Sequence, residues 1–261
     1  MTDSTHSRQF YDNIARYYDA ENETLTADLE LYQVLAQDYG APILEIGCGS
    51  GRVSLNLASA GFAVEGVDTS SQMLARGRQR VKGRADLRDL VSFYEGDALT
   101  YAYPRQYPLI LIPYNTLMHM GTQKNQRALL THLRRFAAPK AKLVIDLPSA
   151  GEQFAGIDDN SITLERSFTE PESGNLVMQQ SVNSLDRAEQ LQHITWIYDE
   201  IMAEGTVKRT VAPLLLRYIF PGEMDLLLEV SGWKRIERYG DYDQRPFEDG
   251  CERLIAVAEA N

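Results

Sequence analysis

From Ala41 onward, short unbroken apolar runs alternate with longer stretches in which apolar residues recur every three or four positions. The runs Pro42–Ile46, Ala63–Asp68, Val91–Glu95, Leu109–Pro113 and Lys142–Leu147 have the length of strands. Gly51–Ala60, Ser70–Val81 and Lys124–Phe136 carry helical spacing, and Gly61 is placed as a helix stop. Strands that are apolar throughout are covered on both faces, so this order predicts an α/β fold with an open, doubly wound, mostly parallel sheet and right-handed crossovers. Ahead of it, Phe10, Ile14 and Tyr17 or Tyr18 mark an amphipathic helix over Ser7–Tyr18, and Leu25–Tyr39 reads as a second helix.

The texture changes after Pro148. Ile162–Thr169, Leu176–Leu185, Gln190–Ile201 and Thr206–Phe220 alternate polar and apolar residues between turn signals such as Glu172-Ser173-Gly174-Asn175, the pattern of an antiparallel meander. Pro221 opens a helix through Val230, and Lys234–Tyr239 with Arg253–Ala258 reads as a closing pair of strands. The chain therefore divides into N-terminal helices (1–40), a ligand-binding core (41–148), an antiparallel β insertion after strand five (149–220) and a segment that completes the core sheet (221–261).

Composition removes several classes. With 37 acidic and 26 basic residues the net charge is −11, which repels polyanions and argues against a nucleic-acid partner. The two cysteines, Cys48 and Cys251, form no paired-thiol or zinc spacing and suit a reducing compartment. No apolar run approaches the roughly 20 residues that cross a bilayer, and Met1-Thr2-Asp3-Ser4 lacks a leader pattern, so the expected location is the cytoplasm, off the membrane.

The chemistry concentrates in Glu45-Ile46-Gly47-Cys48-Gly49-Ser50-Gly51-Arg52, where the first strand runs into three glycines at alternate positions. Glycine admits left-handed backbone and lets a ligand approach the main chain, so the turn is a nucleotide-like cofactor site. A dinucleotide fingerprint needs glycine five residues after its first; Arg52 and Ser54 stand there in the two registers, which argues against a nicotinamide cofactor and leaves a dehydrogenase as the third reading. The Glu45 carboxylate opposes a pyrophosphate and suits a ligand bearing ammonium or sulfonium. Asp68, ending the second strand, can accept both ribose hydroxyls, and Asp97, ending the third, an exocyclic adenine amine. One phosphate-free adenosyl compound satisfies all three acids.

These residues resemble the class I S-adenosylmethionine-dependent methyltransferases, whose E-x-G-x-G-x-G signature stands here at 45–51. The likeness continues through Gly66–Leu74, Gly96-Asp97-Ala98 and Pro113-Tyr114-Asn115, and it covers about residues 8–148. It implies a seven-stranded Rossmann-like sheet with an antiparallel last strand, and a lid like that of small-molecule N-methyltransferases. It also implies cofactor contacts from Tyr18, Glu45, Gly47, Cys48, Gly49, Gly51, Asp68, Thr69, Met73, Gly96, Asp97, Ala98, Leu99, Pro113 and Tyr114. Tyr18 would close over the cofactor, and Met73 and Leu99 would flank adenine. The chain departs from the DNA amino-methyltransferase loop, because Leu111 stands where an acid or amide belongs before Ile112-Pro113-Tyr114. Neither cysteine is placed for cytosine C5 chemistry, and the paired-glutamate hairpin of arginine enzymes is missing from 114–126.

The expected reaction is in-line methyl transfer to a small-molecule acceptor, with amine nitrogen preferred over oxygen. A peptide or protein amine acceptor, or cofactor binding without catalysis, are the alternatives. His119 is the candidate base, set against a histidine that only packs in the loop after strand four; His6, His132 and His193 read as structural or exposed. Tyr11 either joins this chemistry and lines the acceptor pocket or covers the cofactor. Asn115, Trp196, Tyr198, Arg217 and Tyr218 are candidate acceptor contacts, although alternate residues of any half-buried sheet have the same pattern. Arg52 either pairs with a ligand carboxylate or faces solvent in the first helical turn. No metal is called for, and the chain is expected as a monomer or homodimer.

Overall fold

The computed structural model describes residues 3–22, 24–151 and 160–261, with side chains from Ser7 onward. Part of the insertion, 152–159, and the His6 side chain lie outside what is described. Seven strands, β1 (Ile43–Ile46), β2 (Val64–Asp68), β3 (Val91–Glu95), β4 (Tyr107–Ile112), β5 (Ala137–Pro148), β10 (Trp233–Tyr239) and β11 (Arg253–Ala260), form one sheet in the order β10-β11-β5-β4-β1-β2-β3. β1 to β5 pair in parallel, and β11 runs antiparallel to both its neighbours, as expected from the resemblance.

Alternate residues of each central strand enter opposite cores. Ile43, Val64, Leu109, Leu111 and Val144 pack with Leu31, Leu35, Val53 and Leu57 of α2 (Leu29–Tyr39) and α3 (Arg52–Ser59). Leu44, Ile46, Val67, Ile110 and Ile112 pack with Leu129, Leu133 and Leu228 of α5 (Gln123–Arg134) and α6 (Pro221–Val230). A strand that serves two cores has no polar face, which is why its sequence is continuously apolar. At the end of α3 the Gly61 N–H bonds Ala58 O and the Phe62 N–H bonds Leu57 O, a Schellman stop that needs the left-handed φ of +93° at Gly61.

Several boundaries differ from expectation: the first helix spans Asp3–Glu21, beyond Ser7–Tyr18 at both ends, and the last strand of the insertion stops at Arg217, three residues short of Phe220. α2 starts at Leu29, not Leu25, with Asp28 as its N-cap, and the Asp28 carboxylate is taken by Arg52 and leaves the cap unmade. β5 starts at Ala137, five residues early, because Ala137 pairs with Tyr107 before a register shift at the left-handed Lys140.

The insertion forms a separate antiparallel sheet, β6 (Ile162–Thr169), β7 (Leu176–Asp186), β8 (Leu191–Ile201) and β9 (Val207–Arg217), paired in sequence order. Helix α1 (Asp3–Glu21) is wedged between it and the core: Phe10, Ile14 and Tyr17 pack on Val177, Tyr198 and Ala212. Its other flank is held by polar contacts, with Ser70 Oγ donating to Asp12 at 2.7 Å and Arg76 to Asp19 at 2.7 Å. α1 thus roofs the carboxyl ends of β1 to β4.

Candidate functional site

The sheet order reverses at β1, with β2 on one side and β4 on the other, so the crossover helices diverge and open a crevice at the strands' carboxyl ends. A cleft of about 920 Å³, counted to its open mouth, occupies this point. Its wall includes Tyr18, Glu45, Gly47, Cys48, Gly49, Asp68, Thr69, Met73, Gly96, Asp97, Ala98, Pro113 and Tyr114, together with Tyr11 and His119. The three acids expected to share one ligand therefore face one space.

Gly47, Gly49 and Gly51 all have positive φ, between +54° and +83°. At Gly47 the turn also passes so close to Thr116 that a Cβ would lie 2.5 Å from its Cγ2. Gly51 does not reach the cleft wall. It is the left-handed N-cap of α3, where a Cβ would lie 2.5 Å from Phe93 Cζ, so its role is to turn the chain. Leu99 is also outside the wall; it packs on the main core and donates its N–H to Asp97 Oδ1 at 3.0 Å.

Asp68 braces the loop, accepting the Gly49 N–H at 2.9 Å and the Ser70 N–H at 2.8 Å. Burial raises its pKa while these backbone donors pull it back. Glu45 is 2% exposed and bonded to Ser54 Oγ, and burial pushes its carboxyl up to about 7. Arg52 takes neither role expected of it alone. It lines the cleft while both its terminal nitrogens bind Asp28 at 2.6 Å, and its guanidinium lies 5.7 Å from the Tyr114 ring.

After β4 the backbone turns through two left-handed residues, Tyr114 (φ 42°) and Asn115 (φ 70°), into a tight helical turn over Thr116–Met120 that delivers His119. Asp146, fully buried on β5, secures the turn: its Oδ2 accepts the Tyr114 N–H at 3.3 Å and its main-chain oxygen the Asn115 N–H at 2.9 Å. Arg253 completes the clamp, bonding Asp146 Oδ1 at 2.6 Å and Asn115 Oδ1 at 3.1 Å. Asn115 is thus part of this clamp and not of the cleft wall.

His119 is enclosed by α1. Its Nε2 lies 3.1 Å from the Tyr11 hydroxyl and its Nδ1 3.4 Å from Ser7 Oγ. Burial pushes the imidazole down to about 4 and the Tyr11 phenol well above its ordinary value, so both are neutral at pH 7. His132 bonds Tyr101 O at 2.8 Å among aromatic rings, and His193 is exposed, as read from the sequence.

The candidate acceptor contacts on the lid are not brought to this cleft. Tyr198 stacks on Tyr17 at 4.9 Å and donates to Glu21 at 2.9 Å. Arg217 binds Gln126 at 2.7 Å and Glu223 at 2.8 Å, tying β9 to α5 and α6. Tyr218 is buried in the main core, and Trp196 packs between that core and α1. All four fasten the lid, because the buried face of sheet β6–β9 meets α1 and the core. Sequence reasoning missed Ser7 and Thr116, both in the cleft wall. Ser7 stands four residues before Tyr11 on one helix face, and that spacing could have found it.

Among the described residues no group of His, Cys, Asp and Glu could hold a metal, and no helix is long and apolar enough to cross a membrane.

Residues 43–140 match a family described as a methyltransferase domain. The chain is 27% identical over 155 residues to a putative methyltransferase, YqeM, of Bacillus subtilis (strain 168), covering 48% of this chain and 59% of that protein. The match to that relative thus spans about three fifths of its length. A cypemycin N-terminal methyltransferase of a Streptomyces species is 26% identical over 221 residues, 84% of this chain and 83% of that one. Among solved structures, the CcbJ methyltransferase from Streptomyces caelestis superposes with a TM-score of 0.77 at 23% identity, covering 90% of each chain, which is a likeness of fold.

Proposed function

With residues 43–140 matching a methyltransferase domain, we propose that this chain moves a methyl group from S-adenosylmethionine to an amine nitrogen of a small molecule. The observation that carries the reading is the convergence of Glu45, Asp68 and Asp97 on one cleft beside the glycine turn. The residues suit the cofactor. Each Asp68 oxygen spends one lone pair on a backbone N–H and keeps another for a ribose hydroxyl. A Cβ at Gly49 would crowd Met73 Cε at 3.1 Å, so glycine keeps the floor of the cleft low. In this reading Glu45, Tyr18 and Arg52 serve the amino-acid tail, Gly96, Asp97 and Ala98 the adenine, and Pro113 and Tyr114 the β4 side; all of them line the cleft.

When bound, S-adenosylmethionine supplies a methyl already activated by its positive sulfur, so the chain has mainly to align and to exclude water. Tyr11 and His119 stand at the side of the cleft under α1, where the acceptor would enter. Because His119 titrates near 4, it does not store a proton at neutral pH; with its ring nitrogens bonded to Tyr11 and Ser7, it fixes the Tyr11 hydroxyl, whose oxygen can accept an N–H and so orient the nitrogen lone pair. The burial that keeps His119 uncharged also disfavours an ammonium at the same place, which holds the acceptor in its nucleophilic form.

A peptide α-amine is the second reading, favoured by the similarity along most of the chain to the cypemycin N-terminal methyltransferase. The test is calorimetric binding of S-adenosylmethionine, followed by mass spectrometry for methylated products across small amines, their alcohol counterparts and short peptides. Product from alcohols but not amines would reverse the choice of nitrogen. Heat-shift stabilisation by a nicotinamide dinucleotide and not by S-adenosylmethionine would overturn the whole reading.

A further inference from the structure

Glu21 is the last residue of α1 and stands three residues beyond Tyr18, on the stripe that Ser7, Tyr11 and Tyr18 present to the cleft. Its carboxylate turns to the inner face of the lid, accepting from Gln179 Nε2 at 2.8 Å and from the Tyr198 hydroxyl at 2.9 Å. Both donors are neutral. Arg166 approaches, but it gives its hydrogen bond to the Glu21 main-chain oxygen at 2.7 Å. Among the described residues no cation hydrogen-bonds this carboxylate. Outside the cleft wall, other sequestered acids are matched directly: Asp28 by Arg52, Asp146 by Arg253, Glu170 and Glu200 by Arg16, and Asp199 by Arg209.

A second observation points the same way. Gln179 is fully buried on β7, and its side-chain carbonyl Oε1 has no hydrogen-bond partner. A buried carbonyl in that state costs free energy until a donor arrives, and such groups are rare in folded proteins. The two features adjoin, because the same amide donates to Glu21 through its nitrogen. The Glu21 charge also acts on Tyr11, Tyr18 and Tyr114, three residues of the cleft wall. Burial raises the Glu21 pKa, the direction for a carboxylate that has not met its cation.

We propose that the Glu21 carboxylate and the Gln179 carbonyl form a subsite under the lid, one helical turn beyond the cleft-wall residue Tyr18, for a cationic N–H group, an ammonium or guanidinium, carried by the methyl acceptor. A cation with several N–H groups satisfies both oxygens, the charge on Glu21 and the lone pair on Gln179. Tyr11 and Glu21 lie on one helix with Cα atoms about 15 Å apart along its axis. The acceptor would therefore present an uncharged reacting nitrogen at the His119 end and a second, charged nitrogen at the lid end. Assigning the cation to a methyl acceptor rests on the proposed function; the binding of a cation at Glu21 does not.

The experiment titrates the full chain, with and without saturating S-adenosylhomocysteine, using spermidine as ammonium probe, agmatine as guanidinium probe and triethylene glycol as the uncharged control. Glu21→Gln should weaken both cations about tenfold or more while leaving S-adenosylhomocysteine affinity unchanged. Gln179→Leu should weaken them less, and Gln179→Glu should tighten them. Tyr198→Phe keeps the charge and should keep the binding, which separates a lost cation site from a loosened lid. The proposal is overturned if the wild type holds neither cation better than triethylene glycol, or if Glu21→Gln and Gln179→Leu both bind them as the wild type does. Failure of the wild type to bind S-adenosylhomocysteine would sink the methyl-transfer reading instead, and the cation titrations without it would still decide this one.

Discussion

The strand ends of the core and the inner face of the lid meet around one helix, yet they are built on different principles. On the core side, backbone shapes the cleft: glycines with left-handed φ, a loop braced by Asp68, and a two-residue left-handed turn clamped by Asp146. On the lid side, side chains do structural work: Arg217, Tyr198, Tyr218 and Trp196 bind the lid to α1, α5 and the core. The difference separates two jobs, since substitutions in the core loops should change cofactor affinity and those at the lid's fastenings mainly the stability of the assembly.

The largest expected effect breaks a lid fastening. Arg217→Met leaves Glu223 with only amide partners, and it should cost about 3 kcal/mol in urea unfolding, the lower end for removing one member of a buried pair because Glu223 keeps some contact with solvent. Affinity for S-adenosylmethionine should not move. A large change in that affinity would erase the division between the two sides.

Asp68→Ala is the converse. It removes acceptors for Gly49 and Ser70 along with those proposed for ribose, so calorimetry should read an S-adenosylmethionine dissociation constant raised about a hundredfold. An unchanged constant would mean that the loop is set without it.

His119 tests the border between the sides. Its folded pKa of about 4 lies below the ordinary 6.5, so the unfolded chain takes up the proton first as pH falls. Its contribution is constant above pH 6.5, declines between 6.5 and 4, and amounts to a loss of about 2 kcal/mol at pH 5. Urea midpoints at neutral pH and pH 5 should therefore fall further for the wild type than for His119→Gln. An equal fall in both proteins would place the imidazole in water. The smallest effect is Tyr11→Phe, which removes the hydroxyl 3.1 Å from His119; turnover should slow by about tenfold or less with little change in cofactor affinity, as for one neutral hydrogen bond.

What could be read in advance follows the same division. β3 and β6 end where the residue pattern ends, and the glycine turn with its three acids was legible because those features are local in sequence and fix their own geometry. Thr116 was not, since it enters the cleft only after the left-handed Tyr114 and Asn115 redirect the chain, and neither is a glycine that would announce the turn. Period-two alternation in β7 to β9 says which face is buried but not against what, so lid residues read as acceptor contacts are instead packed on α1 and the core. Gly51 and Leu99 fit the family pattern, but neighbouring rings and the core claim them.

The clamp on Tyr114 bears on the order in which the protein is made. Asp146 waits for Arg253, 107 residues further along, on β11, the strand that pairs with β5 and joins β10 to the sheet. A chain emerging from the ribosome has its glycine loop, all three acids and His119 long before the rim that aims them is locked, so ligand competence should appear late and abruptly, as the final strand is threaded home.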